Sequence, residues 1–297
     1  MTRTLLCLGF GYTAQHYVRR FGGRFERVAG TARGPAPPEH NGVIIHGFDG
    51  TATDPALQAA AAAADAVLVS IPPAAHGDPA LPLLAGALTA GSKARQIVYL
   101  STVGVYGDHA GGWVDETTPA TPRSARSRLR LDAERAWQGL RGPLCRVAIL
   151  RLAGIYGPGR NALVNLRRGT AQRIVKPGQV FNRIEVGDIG HVIDAVFARG
   201  ADGVVNVVDD EPSPSADPVL FASRLLGVAP PPEQPYEAVA PTMTAMARSF
   251  YAENKRVRSV VLRRELGVAL AAPSYREGLT ALFAAGEGRD GPSPAGV

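Results

Sequence analysis

A doubly wound parallel α/β sheet with a smaller C-terminal lobe is the fold class this sequence predicts. Three observations point to it. Apolar runs rich in Val, Ile and Leu recur along the first half, as strands buried on both faces require. Helix-compatible stretches separate them, the alternation that parallel strands with crossover helices need. The first run breaks at once into Gly9-Phe-Gly11-Tyr-Thr-Ala14, a strand-to-helix turn made of small residues.

Taken in order, strands are expected at residues 3–8, 27–31, 42–48, 66–71, 96–100 and 145–151. Helices are expected between them at 14–21, 55–63, 79–90 and 126–138. The nearly pure alanine run at 58–64 reads as a helix packed close against a sheet. In the second half, 160–180 reads as a helix followed by a turn, 186–199 as a helix, and 204–208 as a strand returning to the sheet. The Pro-rich stretch at 230–235 is a connector. The division predicted is a dinucleotide-binding, Rossmann-type domain at 1–160 and a lobe at 161–285 interleaved with the sheet, with a disordered tail at 286–297. That tail is Gly, Pro, Ser and charge, with little to bury.

At 297 residues and 45% hydrophobic content, the chain can bury a large core, roughly three quarters of its extended surface. The net charge is +6, yet the arginines are dispersed. Their densest stretch, 123–135, is interleaved with Leu129, Leu131, Asp132, Ala133 and Glu134 and reads as an amphipathic helix. No aromatic stacking series accompanies it, so nucleic acid is not an expected partner. Cys7 and Cys145 sit in apolar runs and read as buried thiols, and metal-ligand spacings are absent. The chain starts on a strand rather than a signal peptide and has no apolar run of membrane-spanning length. A cytoplasmic protein with no membrane partner is therefore expected.

The first turn carries chemistry. Gly9 permits a tight turn, Gly11 lets backbone approach a pyrophosphate, and Ala14 lets the helix pack on the strand. The helix start offers N–H groups to phosphate. Gly9, Phe10, Gly11, Tyr12, Thr13 and Ala14 are thus the expected dinucleotide loop. The second strand ends at Thr31 and Arg33, where a site for NAD usually places a carboxylate. An arginine accommodates a 2′-phosphate, so NADP is favoured over NAD.

Several later segments resemble the extended short-chain dehydrogenase/reductase superfamily, within it the NAD(P)-dependent epimerase/dehydratase-like proteins. They are Ser101-Thr102-Val-Gly-Val-Tyr106-Gly107, Val114-Asp-Glu116-Thr-Thr-Pro119, Leu150-Arg151-Leu-Ala-Gly-Ile-Tyr156-Gly-Pro-Gly159, Asn182-Arg183-Ile-Glu-Val-Gly-Asp188 and Val205-Asn206-Val-Val-Asp209. Ser70-Ile71-Pro72-Pro73 matches the "SIPP" strand of a small bacterial subgroup. The resemblance spans about residues 3–270. It implies that Ser70, Ile71, Pro72 and Ser101 line the cofactor, that Asp49 meets the adenine end, and that Thr102 hydrogen-bonds the reacting group of a small-molecule substrate. It also implies that Arg183 meets an anionic group of that substrate; independently of the resemblance, the basic residues Lys255 and Arg256 of the lobe are expected to gather with it round such a group. A homodimer is left open.

One departure is decisive for mechanism. The family's Tyr-x-x-x-Lys falls on Arg126 and Arg130, and no tyrosine occurs between Gly107 and Ile155. Arg130 can take over the lysine's electrostatic role. Arg126 stays protonated at neutral pH and cannot serve as the acid/base. Tyr106, Tyr156 and His76 are the candidate substitutes, the first two also as substrate contacts, with the acidic pair Asp115 and Glu116 as a further one that more often anchors a loop. Two readings follow: an NADP-dependent oxidoreductase or epimerase with a non-standard acid/base, or an inactive NADP-binding, redox-sensing module.

Overall fold

The computed structural model describes residues 3–34, 39–91 and 93–289. Among them the strands run, in chain order, β1 (Thr4–Leu8), β2 (Arg27–Ala32), β3 (Glu39–His40), β4 (Val43–Gly47), β5 (Ala66–Val69), β6 (Arg95–Thr102), β7 (Trp113–Val114), β8 (Cys145–Leu152), β9 (Gly154–Tyr156), β10 (Arg173–Val175), β11 (Arg183–Glu185), β12 (Gly203–Val207), β13 (Glu233–Pro235) and β14 (Arg256–Val257). The helices are α1 (Tyr12–Phe21), α2 (Pro55–Ala63), α3 (Leu81–Thr89), α4 (Ala125–Gln138), α5 (Ala162–Arg167), α6 (Val186–Arg199), α7 (Ala216–Leu226), α8 (Tyr236–Val239), α9 (Ala245–Tyr251), α10 (Val261–Arg264) and α11 (Tyr275–Ala284).

The main sheet has the order β12-β8-β6-β5-β1-β2-β4-β3. All its pairings are parallel except β3 on β4. The expected doubly wound parallel fold is thus the observed one, and β12 from the second half closes one edge. Strand side chains alternate between two apolar layers. Leu5 and Cys7 of β1, with Val98 and Leu100 of β6, pack under α1 and α6 beside Tyr17, Ile189 and Phe197. Leu6 and Leu8, with Ile97 and Tyr99, pack under α2, α3 and α4 beside Leu57, Leu84 and Trp137. Each fully buried Leu or Ile contributes about 1.5–3 kcal/mol relative to exposure. A third cluster, Tyr156, Leu163, Ala222, Tyr275, Leu279 and Leu282, forms the lobe.

Helix starts follow their caps. Asp54 accepts from the Leu57 amide at 2.7 Å ahead of α2, with Pro at its first turn. Ser124 accepts from the Ser127 amide at 3.1 Å ahead of α4. The segment expected as one helix in 160–180 is shorter, α5 ending at Arg167 before the small strand β10.

The expected tail needs correction. Residues 290–297 lie outside the described residues, but 286–289 pack on the lobe. The Glu287 carboxylate accepts from the Gly159 amide at 3.1 Å and from Asn161 Nδ2 at 2.8 Å. Composition alone reads this Glu as solvated, because nothing in the sequence reveals that a backbone N–H would need it.

Candidate functional site

Two cavities open at the carboxyl ends of the strands. The first, about 560 Å³, brings together Gly9, Phe10 and Gly11 after β1, Thr31 and Arg33 at the end of β2, Asp49 after β4, and Ser70, Ile71 and Pro72 after β5. Gly9 holds φ +90, and a Cβ there would lie 2.8 Å from Ser70 Oγ. A Cβ on Gly11 would meet nothing within 4 Å. Gly11 caps α1 with no side chain on the first-turn amides. A turn that only glycine fits is followed by an open, amide-lined start of a helix, the arrangement an anionic pyrophosphate needs.

Other members of this loop are committed to building it. Thr31 Oγ1 accepts from the Gly9 amide at 2.8 Å, and its carbonyl accepts from Phe10 at 2.7 Å. Thr31 therefore fastens the turn, whatever else it touches. Tyr12 donates to the Pro158 carbonyl at 3.0 Å beneath the Arg160 guanidinium, and Ala14 is wholly buried. Asp49 accepts from the Thr51 hydroxyl at 2.7 Å, which holds its carboxyl below the usual range. Arg33 stands exposed on the same wall. His76 is at this cavity's rim and does not line the second.

The second cavity, about 450 Å³, meets the first at Ser70. Thr13, Ser101, Thr102, Arg126 and Arg130 line it, facing Phe181, Asn182, Phe250, Glu253 and Lys255 from the lobe. Thr102 closes β6, and its Oγ1 accepts from the Gly104 amide at 3.1 Å. Its own O–H is left to donate into the cavity. Arg130 Nη1 donates to Tyr99 OH at 2.9 Å and to the Leu100 carbonyl at 3.1 Å. Arg126, one turn earlier, is exposed and has no side-chain partner among the described residues. Ser101 points its hydroxyl at buried Glu134, which also holds Arg151 at 2.8 Å. It therefore supports the cavity floor from below.

Three expected substrate contacts are placed elsewhere. Tyr106 is fully buried, donates to Asn206 Oδ1 at 2.8 Å, and carries the Arg151 guanidinium on its ring. Burial pushes its hydroxyl's pKa up, which suits packing and not proton transfer. Tyr156 packs in the lobe cluster, its hydroxyl donating to the Ser274 carbonyl at 3.3 Å, and burial raises its pKa strongly as well. Arg183 donates to the carbonyls of Phe181, Ser213 and Pro214 and lines a separate lobe cavity of about 670 Å³. It does not gather with Lys255 and Arg256. Lys255 lines the second cavity, whereas Arg256 donates to the Gly111 carbonyl. Sequence reading missed Glu253 and Ser127 as wall residues, since neither belongs to a recurring motif. A carboxylate two residues from a lone lysine was the available signal.

No model of a known protein family matches the chain. A solved structure of a conserved protein of unknown function from Silicibacter pomeroyi DSS is 44% identical, with a TM-score of 0.86, covering 96% of this chain and all of that one. The human epimerase family protein SDR39U1, solved with NADPH, is 19% identical at a TM-score of 0.72, covering 94% of this chain and 98% of that one. The Bacillus anthracis dTDP-glucose 4,6-dehydratase, solved with NAD, is 15% identical at 0.73, covering 97% and 99%. Protein YeeZ of Escherichia coli K12 is 31% identical over 149 residues, 46% of this chain and 48% of that protein. A Streptomyces 3-diazoavenalumate denitrifying reductase is 30% identical over 182 residues, 56% and 55%. The chain spans about half the length of the curated relatives it matches. Among the described residues, no helix is long and apolar enough to cross a membrane, and no metal-binding cluster occurs.

Proposed function

We propose a function on the premise that this chain belongs to the family of the Silicibacter pomeroyi protein and has the fold of the NAD(P)-dependent epimerase/dehydratases: it is an NADP-dependent reductase of a small, anionic carbonyl-type substrate. The observation that carries this reading is the meeting of the two cavities at Ser70, one a glycine cradle and the other walled by Thr102, Arg126 and Arg130. The human neighbour solved with NADPH and the dehydratase solved with NAD support a nicotinamide dinucleotide. The Streptomyces relative, a reductase by name, favours reduction over epimerisation. A cytosolic setting, where reduced nicotinamide is supplied, goes with it.

The residues present fit such a cofactor. The loop from Gly9 to Tyr12 would hold the pyrophosphate, Arg33 the 2′-phosphate, Asp49 and Ile71 the adenosine end, and Arg130 the nicotinamide ribose. When bound, NADPH supplies a hydride. Thr102 donates a hydrogen bond to the substrate oxygen, which withdraws electron density from the carbon and favours charge developing on oxygen. Arg126 attracts and orients an anionic group.

Calorimetric titration with NADPH and NADH, followed by a carbonyl panel read by loss of nicotinamide absorbance, tests this. NADPH binding with turnover of anionic members is the expected result. Binding without any turnover selects the inactive binding module instead, and no binding overturns both.

A further inference from the structure

The second cavity lacks the family's tyrosine, yet a buried ammonium faces it. Lys255 is 7% exposed and lines the cavity with Thr102. Its Nζ donates to the Gly107 carbonyl at 2.6 Å and to Glu253 Oε2 at 2.9 Å. An ammonium has three donors, so one remains for the cavity. Its placement is over-determined. Gly107 holds φ +73, and a Cβ there would lie 2.1 Å from the Thr121 carbonyl oxygen, so only glycine presents this acceptor. The neighbouring segment is fixed as well: Asn254 accepts from the Val180 amide at 3.1 Å, and Gln179 donates to the Glu253 carbonyl at 2.8 Å. The other charges around Lys255 are Asp108, paired to Arg123 at 3.1 Å, and the cavity arginines Arg126 and Arg130. Those arginines cannot release a proton. Among the described residues Lys255 is the one lysine on the wall.

Resting on the reductase reading above, we propose that Lys255 is the general acid of this site, with Glu253 and Gly107 positioning it. The carbonyl carbon gains a hydride from the reduced nicotinamide, forming a C–H bond. The carbonyl π pair moves to oxygen. That oxygen, held by Thr102, takes a proton from Lys255 Nζ, so an N–H bond breaks and an O–H bond forms. The carbonyl is reduced to an alcohol, the nicotinamide is oxidised, and the neutral amine regains its proton from solvent.

The test uses 4-carboxybenzaldehyde, an anionic aromatic aldehyde, with NADPH. Lys255→Met lowers kcat ~100-fold or more, the usual worth of a general acid, while KM stays within about threefold and NADPH affinity is unchanged. Lys255→Arg keeps a cation for Gly107 and Glu253 but does not restore kcat, because a guanidinium does not give up a proton. A merely structural lysine predicts rescue by arginine, and that result overturns the proposal. Because either variant could fail to fold, the wild type provides a second measurement. It has three lysines, Lys93, Lys176 and Lys255, so selective ¹⁵N-lysine labelling gives three Nζ signals. Titrating 4-carboxybenzyl alcohol into the NADP-loaded protein moves the Lys255 signal, and a signal that stays put through the whole titration overturns the inference. Wild type that binds NADPH but leaves the aldehyde untouched counts against the reductase reading alone, and the Nζ titration still decides Lys255.

Discussion

Gly9 and Gly11 are two positions apart and fail differently when replaced. Gly9→Ala places a methyl 2.8 Å from Ser70 Oγ at φ +90. It should cost about 1–3 kcal/mol, the range for a non-glycine residue held in such backbone, read as a lower urea midpoint. The Cβ of Gly11→Val meets no protein atom within 4 Å, so the variant's melting temperature should stay close to the wild type. Its NADPH affinity should fall beyond about a hundredfold, or 2.7 kcal/mol, because the isopropyl group occupies the space of the phosphates. Arg33 carries the cofactor choice. Arg33→Asp should exchange a preference for NADPH of roughly ten- to hundredfold for one toward NADH, the worth of a charge-assisted contact. Equal calorimetric affinities of the wild type for both would contradict this.

At the scale of elements, α4 is pinned to the sheet by a buried ion pair. Glu134 and Arg151 are 2% and 8% exposed, and the carboxylate also receives Ser101 from β6. Glu134→Ala leaves an uncompensated buried guanidinium and should cost about 3–5 kcal/mol in urea unfolding. Because α4 carries Arg126 and Arg130, the same change should loosen the second cavity as well. Such elements were legible in the sequence. The apolar runs of β1, β6 and β8 and the glycine turn each state a local requirement that the fold then meets. What was not legible depends on long-range partners. Tyr106 and Tyr156 come shortly after β6 and β8, at the strand ends where a substrate is met, and only the burial of their hydroxyls by Asn206 and the Ser274 carbonyl shows otherwise. Lys255 could not be separated from Arg183 and Arg256 by spacing, because β11 and the segment before β14 direct them to three different places.

For the whole molecule, a buried acid sets part of the pH response. Asp209 follows β12 and is 2% exposed. Burial raises its pKa from an ordinary 3.8 to about 8, against the opposing pull of Arg183. The folded state therefore keeps a proton that the unfolded chain releases across that window. Stability from this group is full below the ordinary value and is lost as pH rises toward about 8. Asp209→Asn should remove that loss. Its urea midpoint should gain on the wild type between about pH 5 and about pH 8, and a gap that stays constant would refute the assignment.

The reach of Lys255 back to Gly107 spans 148 residues, and it has a consequence for the order in which a growing chain becomes competent. Every wall of the glycine cradle lies between Gly9 and Pro79, so all of them are synthesised before any residue of the lobe. The second cavity stays incomplete until Phe250, Glu253 and Lys255 have been synthesised and have joined Phe181 and Asn182 opposite Thr102. Contacts at such separation form late, after loop-closure entropy has been overcome. A nascent chain could thus acquire its dinucleotide cradle well before any chamber in which a hydride could be spent.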